Sequence, residues 1–148
     1  MSLVPILCGS FAAFVAGEAD PADHPPFAAC VEVLREAMAS RRSLVVAAAD
    51  LAHVGPAFGD PYGLDFVARA QLQQADERLL ATVYEGDADA FFTQVQEEGD
   101  RRNICGLPPI YLTLRLLGET SGRPAGYAQC PADSQGLSFV TIAGVLLD

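Results

Sequence analysis

Apolar residues along this chain fall into two kinds of pattern, short unbroken runs and longer stretches in which they recur every three to four positions. Residues 4–8 (VPILC) form one unbroken run that closes at Gly9, and residues 43–49 (SLVVAAA) form another that closes at Asp50. Both are short, partly β-branched and sharply bounded, which predicts buried strands rather than helices. Continuous apolarity, without alternation, predicts parallel strands covered on both faces. Between them, residues 20–26 are rich in turn formers. Phe27, Cys30, Val31, Leu34 and Met38 then recur at helical spacing, with Glu32, Arg35 and Glu36 on the opposite side. The first third of the chain therefore reads strand, helix, strand.

After Asp50 the stretch LAHVGPAFGDPYG is too broken by glycine and proline to be regular. Leu64, Val67, Ala68, Ala75, Leu79 and Val83 mark a long amphipathic helix that stops near Gly86, and Asp87 is placed to cap a second helix running to about Glu98. A turn through Asn103, Ile104, Cys105, Gly106, Leu107, Pro108 and Pro109 leads into a third helix over residues 110–117. Prolines are tolerated there because the first helical turn has no use for their missing N–H. Residues 125–130 and 137–147 read as strands separated by a turn. Four strands alternating with helices predict one α/β domain over residues 1–148, a layered, mostly parallel sheet flanked by helices. At 148 residues the chain has the length of one domain.

Composition narrows the function. Hydrophobic residues make up 51% and charged residues 19%, which predicts a packed body rather than disorder. Nine cations, all arginine, face nineteen acids, a formal charge of −10. No basic stripe exists to displace counterions from phosphates, so nucleic acid is disfavoured and not expected as a partner. The lack of lysine removes Schiff-base chemistry and a phosphate-loop lysine. No apolar run approaches the roughly 18–20 residues of a bilayer span, and the apolar start has no cationic leader, so the expected setting is cytoplasmic, with no membrane partner. The four cysteines, Cys8, Cys30, Cys105 and Cys130, contain no CxxC pair and are expected to be reduced.

The densest chemical signal is Asp50-Leu51-Ala52-His53, which begins where a predicted strand ends. Strand ends in α/β sheets face binding crevices. Asp50 is a candidate to orient His53 or to act as acid or base beside it; the plainer alternative is a turn cap beside an ordinary loop histidine. Cys105 precedes a helix start, where the backbone dipole favours thiolate, and is the best placed of the cysteines to ligate a metal or act as nucleophile; the plainer alternative is a small buried hydrophobe. His24 lies in a turn and reads as solvated. The carboxylates Asp87, Asp89, Glu97, Glu98 and Asp100 read as a solvated helix face.

The segments VPILCGSF at residues 4–11, AADLAHVGPAFGD at 48–60, NICGLPPI at 103–110 and the tail GYAQC…SFVTIAGVLL together resemble consecutive motifs of the Memo-like family. The resemblance implies a fold similar to that of class III extradiol dioxygenases, which use non-haem iron. It places Asp50 and His53 at the family's Asp-x-x-His positions and Cys105 at the cysteine that joins metal coordination, with His53 and Cys105 as metal residues and Asp50 and His53 as catalytic ones. It also implies that this chain begins after the region carrying the family's two N-terminal metal histidines. Iron, copper, zinc or no metal at all remain open as the cofactor of the isolated chain. Two readings follow: part of a metal-dependent redox enzyme completed by a partner chain that supplies the missing half, or a non-enzymatic module binding a ligand or protein. His53 and Cys105 are expected to share one crevice with Asp50. The apolar edge at residues 4–8 is expected to be covered by another chain, most simply in a homodimer.

Overall fold

A computed structural model of the chain describes residues 2–148, and Met1 lies outside the described residues. Helix α1 (Ala12–Val15) is a single turn, and α2 (Pro25–Ala39) covers the predicted amphipathic stretch. A two-residue strand, β1 (His53–Val54), follows. Helices α3 (Phe66–Tyr84), α4 (Ala88–Glu97) and α5 (Leu107–Leu117) come next, and strands β2 (Gly122–Pro131) and β3 (Phe139–Leu147) close the chain.

Local chemistry sets the helix boundaries. The Asp65 carboxylate accepts from the Ala68 N–H at 2.8 Å and Asp87 does the same for Ala90 at 2.8 Å, so each satisfies one of the orphan donors of a first helical turn. Helix α5 opens on Leu107-Pro108-Pro109, three residues before the expected start at Ile110, with both prolines in its first turn. It turns its apolar face inward, with Tyr111 and Leu114 buried against Phe91 and Val95 of α4 and Leu79 of α3. Phe11 holds the N-terminal segment on this layer, edge-on to Tyr111 at 5.6 Å between ring centres, while Phe27 brings α2 to the same tyrosine at 5.5 Å.

Helices and strands mix as predicted, but the sheet differs. Among the described residues it has three strands in the order β1-β3-β2, and both pairings are antiparallel rather than mostly parallel. The short connection between β2 and β3 explains the pair they form, because only antiparallel neighbours can be joined by a tight turn. The two runs predicted as parallel strands are not strands. Residues 3–8 and 43–49 make no backbone hydrogen bonds among the described residues and carry no regular structure. Their apolarity is intact but uncovered: Leu7 is 99% exposed, and Leu44 and Val46 point outward while Val45 and Ala47 are half-buried. A parallel strand needs a neighbour from a separate part of a sheet, and these residues have none. No helix among the described residues is long and apolar enough to cross a membrane.

Candidate metal centre

The segment that carries Asp50 and His53 is held from both sides. Toward the sheet, Leu51 N–H donates to the Thr141 carbonyl at 2.8 Å, Thr141 N–H donates back to Ala52 at 3.0 Å, and the buried Thr141 hydroxyl accepts from Ala52 N–H at 2.9 Å. On its other edge, His53 N–H donates to the Arg102 carbonyl at 2.8 Å. Asp50 stands where this ladder begins, so its carboxylate is carried by rigid backbone.

The turn from Gly99 to Gly106 delivers Cys105 to the same place. Asp100 and Asn103 adopt left-handed backbone, with φ of 48° and 50°, and Asp and Asn are the non-glycine residues that tolerate it best. Gly106 then packs directly on Asp50. A Cβ added there would lie 2.2 Å from the Asp50 carbonyl oxygen and 2.9 Å from the Ala49 Cβ. Glycine is required by close approach, since its φ of −72° is open to any residue.

Asp50, His53 and Cys105 each offer a ligand atom, and these atoms lie within 4.8 Å of one another. It is the one such group of metal-ligating side chains found among the described residues. The Cys105 thiol donates a hydrogen bond to Asp50 Oδ1, and Asp50 Oδ2 stands 3.6 Å from His53 Nε2. The other ring nitrogen, Nδ1, is 3.2 Å from the Leu51 carbonyl and 3.2 Å from the Asn103 carbonyl. Carbonyls only accept, so Nδ1 carries a proton, and Nε2 is the ring nitrogen on the side of Asp50. Phe58 packs edge-on against the imidazole at 5.0 Å between ring centres.

The helix start does not prevail at Cys105. Cys105 is exposed as a residue, yet desolvation on the side of its sulfur that faces the protein, then the hydrogen bond to Asp50 and the charge of that carboxylate, push the thiol up to about 11, so the metal-free cysteine is a protonated thiol rather than the favoured thiolate the sequence suggests. A cleft of about 550 Å³ opens beside this sulfur, bounded by Phe11, Val15, Asp100, Asn103, Cys105 and Leu107.

Behind the site lies a buried polar cluster that sequence reasoning missed. Arg102 Nη1 binds Asp76, whose side chain is 0% exposed, and the same guanidinium grips Glu98 at 2.7 and 3.0 Å. Tyr127 donates to the other Asp76 oxygen at 2.9 Å. Burial raises the Asp76 carboxyl above the usual range, against the lowering contacts from Thr141, Tyr127 and Arg102. Glu98, read from sequence as solvated, is thus part of this cluster, while Asp87 caps α4 and Asp89 pairs with Arg115. The signal was available in Arg101-Arg102, two cations between an acidic stretch and the Cys-Gly turn, although only the fold says which one is buried. His24 stands apart from the site, at the start of α2, with its ring edge-on to Phe14. Cys8, Cys30 and Cys130 are half-buried free thiols.

No curated protein matches the chain. The Memo-like protein family model matches residues 23–145, a span that contains helices α2 to α5, most of the sheet, and all three residues of the Asp-His-Cys group. The chain therefore belongs to the Memo-like protein family.

Proposed function

We propose that this chain is the metal-holding part of a metal-dependent Memo-like protein, with Asp50, His53 and Cys105 as its ligands. The observation that carries the reading is the fixed histidine. With Nδ1 committed to two carbonyls, Nε2 is the ring nitrogen left for a ligand, and it stands 3.6 Å from an Asp50 oxygen, so a cation between them would meet a donor on each side. Thiolate, imidazole and carboxylate together suit zinc or copper; iron sites usually take two histidines and a carboxylate, so iron needs a further histidine from elsewhere. When bound, such an ion supplies Lewis-acid or one-electron chemistry at an open coordination position. The chain's own contribution is to orient the three donors, to accept the loss of the Cys105 proton on binding, and to present the adjoining cleft to a small substrate. Asp50 would in addition serve as acid or base through the carboxylate oxygen not engaged with the ion, with His53 as its neighbour.

The exposed runs at residues 3–8 and 43–49 support completion by another chain. Unpaired apolar backbone is a template for strand addition. A second copy is the simplest occupant, and a chain bearing further histidines is the one that makes redox chemistry with iron accessible. A chain whose strands run parallel to these runs would extend the sheet toward the layered, mostly parallel arrangement of class III extradiol dioxygenase-like domains. Four unpaired cysteines fit a reducing, cytoplasmic setting. A non-enzymatic binding module is the second reading, and it is favoured by one contact, the Cys105–Asp50 hydrogen bond, which closes the polar group without a metal.

Metal analysis of the purified protein distinguishes the two. Stoichiometric zinc, copper or iron that disappears in Cys105→Ser and in His53→Ala supports the metal site. Metal-free protein that takes up none of these ions while keeping its fold overturns it in favour of the binding module.

A further inference from the structure

We infer that Asn103 is the positioning residue of this site, and that it acts through its left-handed backbone by selecting the ring tautomer of His53. The inference rests on the proposed metal site for its functional meaning, but its geometry is independent of any ion. Asn103 stands at φ 50°, one residue after the carbonyl that receives the His53 N–H. That left-handed step turns the next carbonyl, its own, toward His53 Nδ1 at 3.2 Å. Its side-chain amide donates to the His53 carbonyl at 3.1 Å, so one residue grips both the ring and the backbone of the histidine. The turn is anchored from within, as Asn103 N–H donates to Asp100 at 2.8 Å and the neighbouring Arg102 is buried on Asp76.

A carbonyl at Nδ1 stabilises the Nδ1–H tautomer and leaves Nε2, 3.6 Å from Asp50, free of a proton in that tautomer. If that carbonyl rotates away, only the Leu51 carbonyl remains, and the free-imidazole preference for a proton on Nε2 competes, which blocks the ligand atom. Outer hydrogen bonds of this kind typically change metal affinity by about 10- to 100-fold. Asparagine suits the position twice over, because it tolerates left-handed backbone and supplies the amide donor.

Two substitutions separate backbone from side chain. Asn103→Gly and Asn103→Val both delete the amide, but glycine keeps the left-handed turn and a β-branched residue opposes it. The first readout is ring ¹⁵N–¹H correlation spectroscopy of the metal-free protein above the imidazole titration, with His24, the one other histidine, as internal control. The second is affinity for Co²⁺, whose thiolate absorption band reports ligation by Cys105. The wild type and Asn103→Gly are expected to hold the Nδ1–H tautomer, with Co²⁺ affinity within about threefold of each other. Asn103→Val is expected to shift toward Nε2–H and to bind Co²⁺ about tenfold more weakly or worse. Should the valine variant fail to fold by circular dichroism, Asn103→Ala is expected to fall between wild type and that extreme, with more Nε2–H than the glycine variant. A valine variant with wild-type tautomer and affinity, or glycine and alanine variants that change equally, overturns the inference. A wild type that holds the Nδ1–H tautomer yet binds no Co²⁺ overturns the metal reading and leaves the positioning role to be decided by the tautomer alone.

Discussion

Replacing Arg102 with methionine removes the cation of the buried cluster while keeping most of the side-chain stem. Two acids lose their partner, and they lose different amounts. Glu98 is 16% exposed and can turn to water, so its share is about 0.5–1 kcal/mol. Asp76 is 0% exposed and cannot, and breaking a buried pair from one side costs about 3–5 kcal/mol. The expected loss is therefore about 4 kcal/mol, a large part of the 5–15 kcal/mol that typically separates folded from unfolded chains, and it lowers Tm by about 10–15 °C. The sign of the pH effect follows from Asp76. Its carboxyl is already raised by burial, and removing Arg102 takes away one of the contacts that lower it. A carboxyl raised in the folded state binds its proton more tightly there than in the unfolded chain, near 3.9, so stability is lost as pH rises through the folded value. The penalty of Arg102→Met should thus be smaller at pH 5 than at pH 8. Urea melts followed by circular dichroism at both pH values measure it. A companion variant, Arg102→Met with Asp76→Leu, should regain at least half of the loss, since apolar replacement of a whole buried pair is often neutral. A single variant within about 1 kcal/mol of wild type at both pH values, or a gap that widens in acid, refutes the description of Asp76 as a desolvated partner of Arg102.

The site itself is open to simpler tests. Asp50→Asn should weaken Zn²⁺ or Co²⁺ binding by about tenfold or more while shifting Tm by only a few degrees; a large fall in Tm with unchanged affinity would make Asp50 a structural cap instead. In the metal-free protein Cys105 should alkylate slowly near pH 8 and speed up as pH rises toward about 11, while Asp50→Asn should accelerate the reaction at pH 8 by removing the carboxylate that helps hold the thiol protonated; mass spectrometry of iodoacetamide adducts reads both, and equal rates would contradict the contact. Gly106→Ala should cost about 1–3 kcal/mol and abolish tight metal binding, because its Cβ would lie 2.2 Å from the Asp50 carbonyl; a variant with wild-type Tm and affinity would show that the turn adjusts freely. Light scattering at micromolar concentration should give about twice the 15.6 kDa chain mass if the exposed runs pair between copies, whereas a constant monomer mass would remove the homodimer.

Helical periodicity, caps and residue chemistry were legible in the sequence, because each depends on a few consecutive residues. Asp87 before an amphipathic stretch, the prolines before Ile110, and the β-rich tail at 137–147 mark elements that form where expected. The Asp-x-x-His loop and the Cys-Gly turn were recognisable as the residues with chemistry to offer. Pairing was not legible. An apolar run such as residues 43–49 has strand-forming composition, but a strand exists only against a neighbour, and which segments become neighbours is a property of the whole chain; hence the parallel sheet expected from the sequence gives way to three antiparallel strands. The same distinction governs the site. Sequence identifies Asp50, His53 and Cys105, whereas their approach to within 4.8 Å arises from the ladder to Thr141, the left-handed turn at Asn103 and the contact of Gly106 with the Asp50 backbone. Tertiary structure also reverses the electrostatics of Cys105: desolvation of its sulfur, and then a carboxylate 55 positions away in sequence that is in contact with it, outweigh the helix start next to it. Charge interactions depend on distance through space, and no spacing along the chain contains that distance.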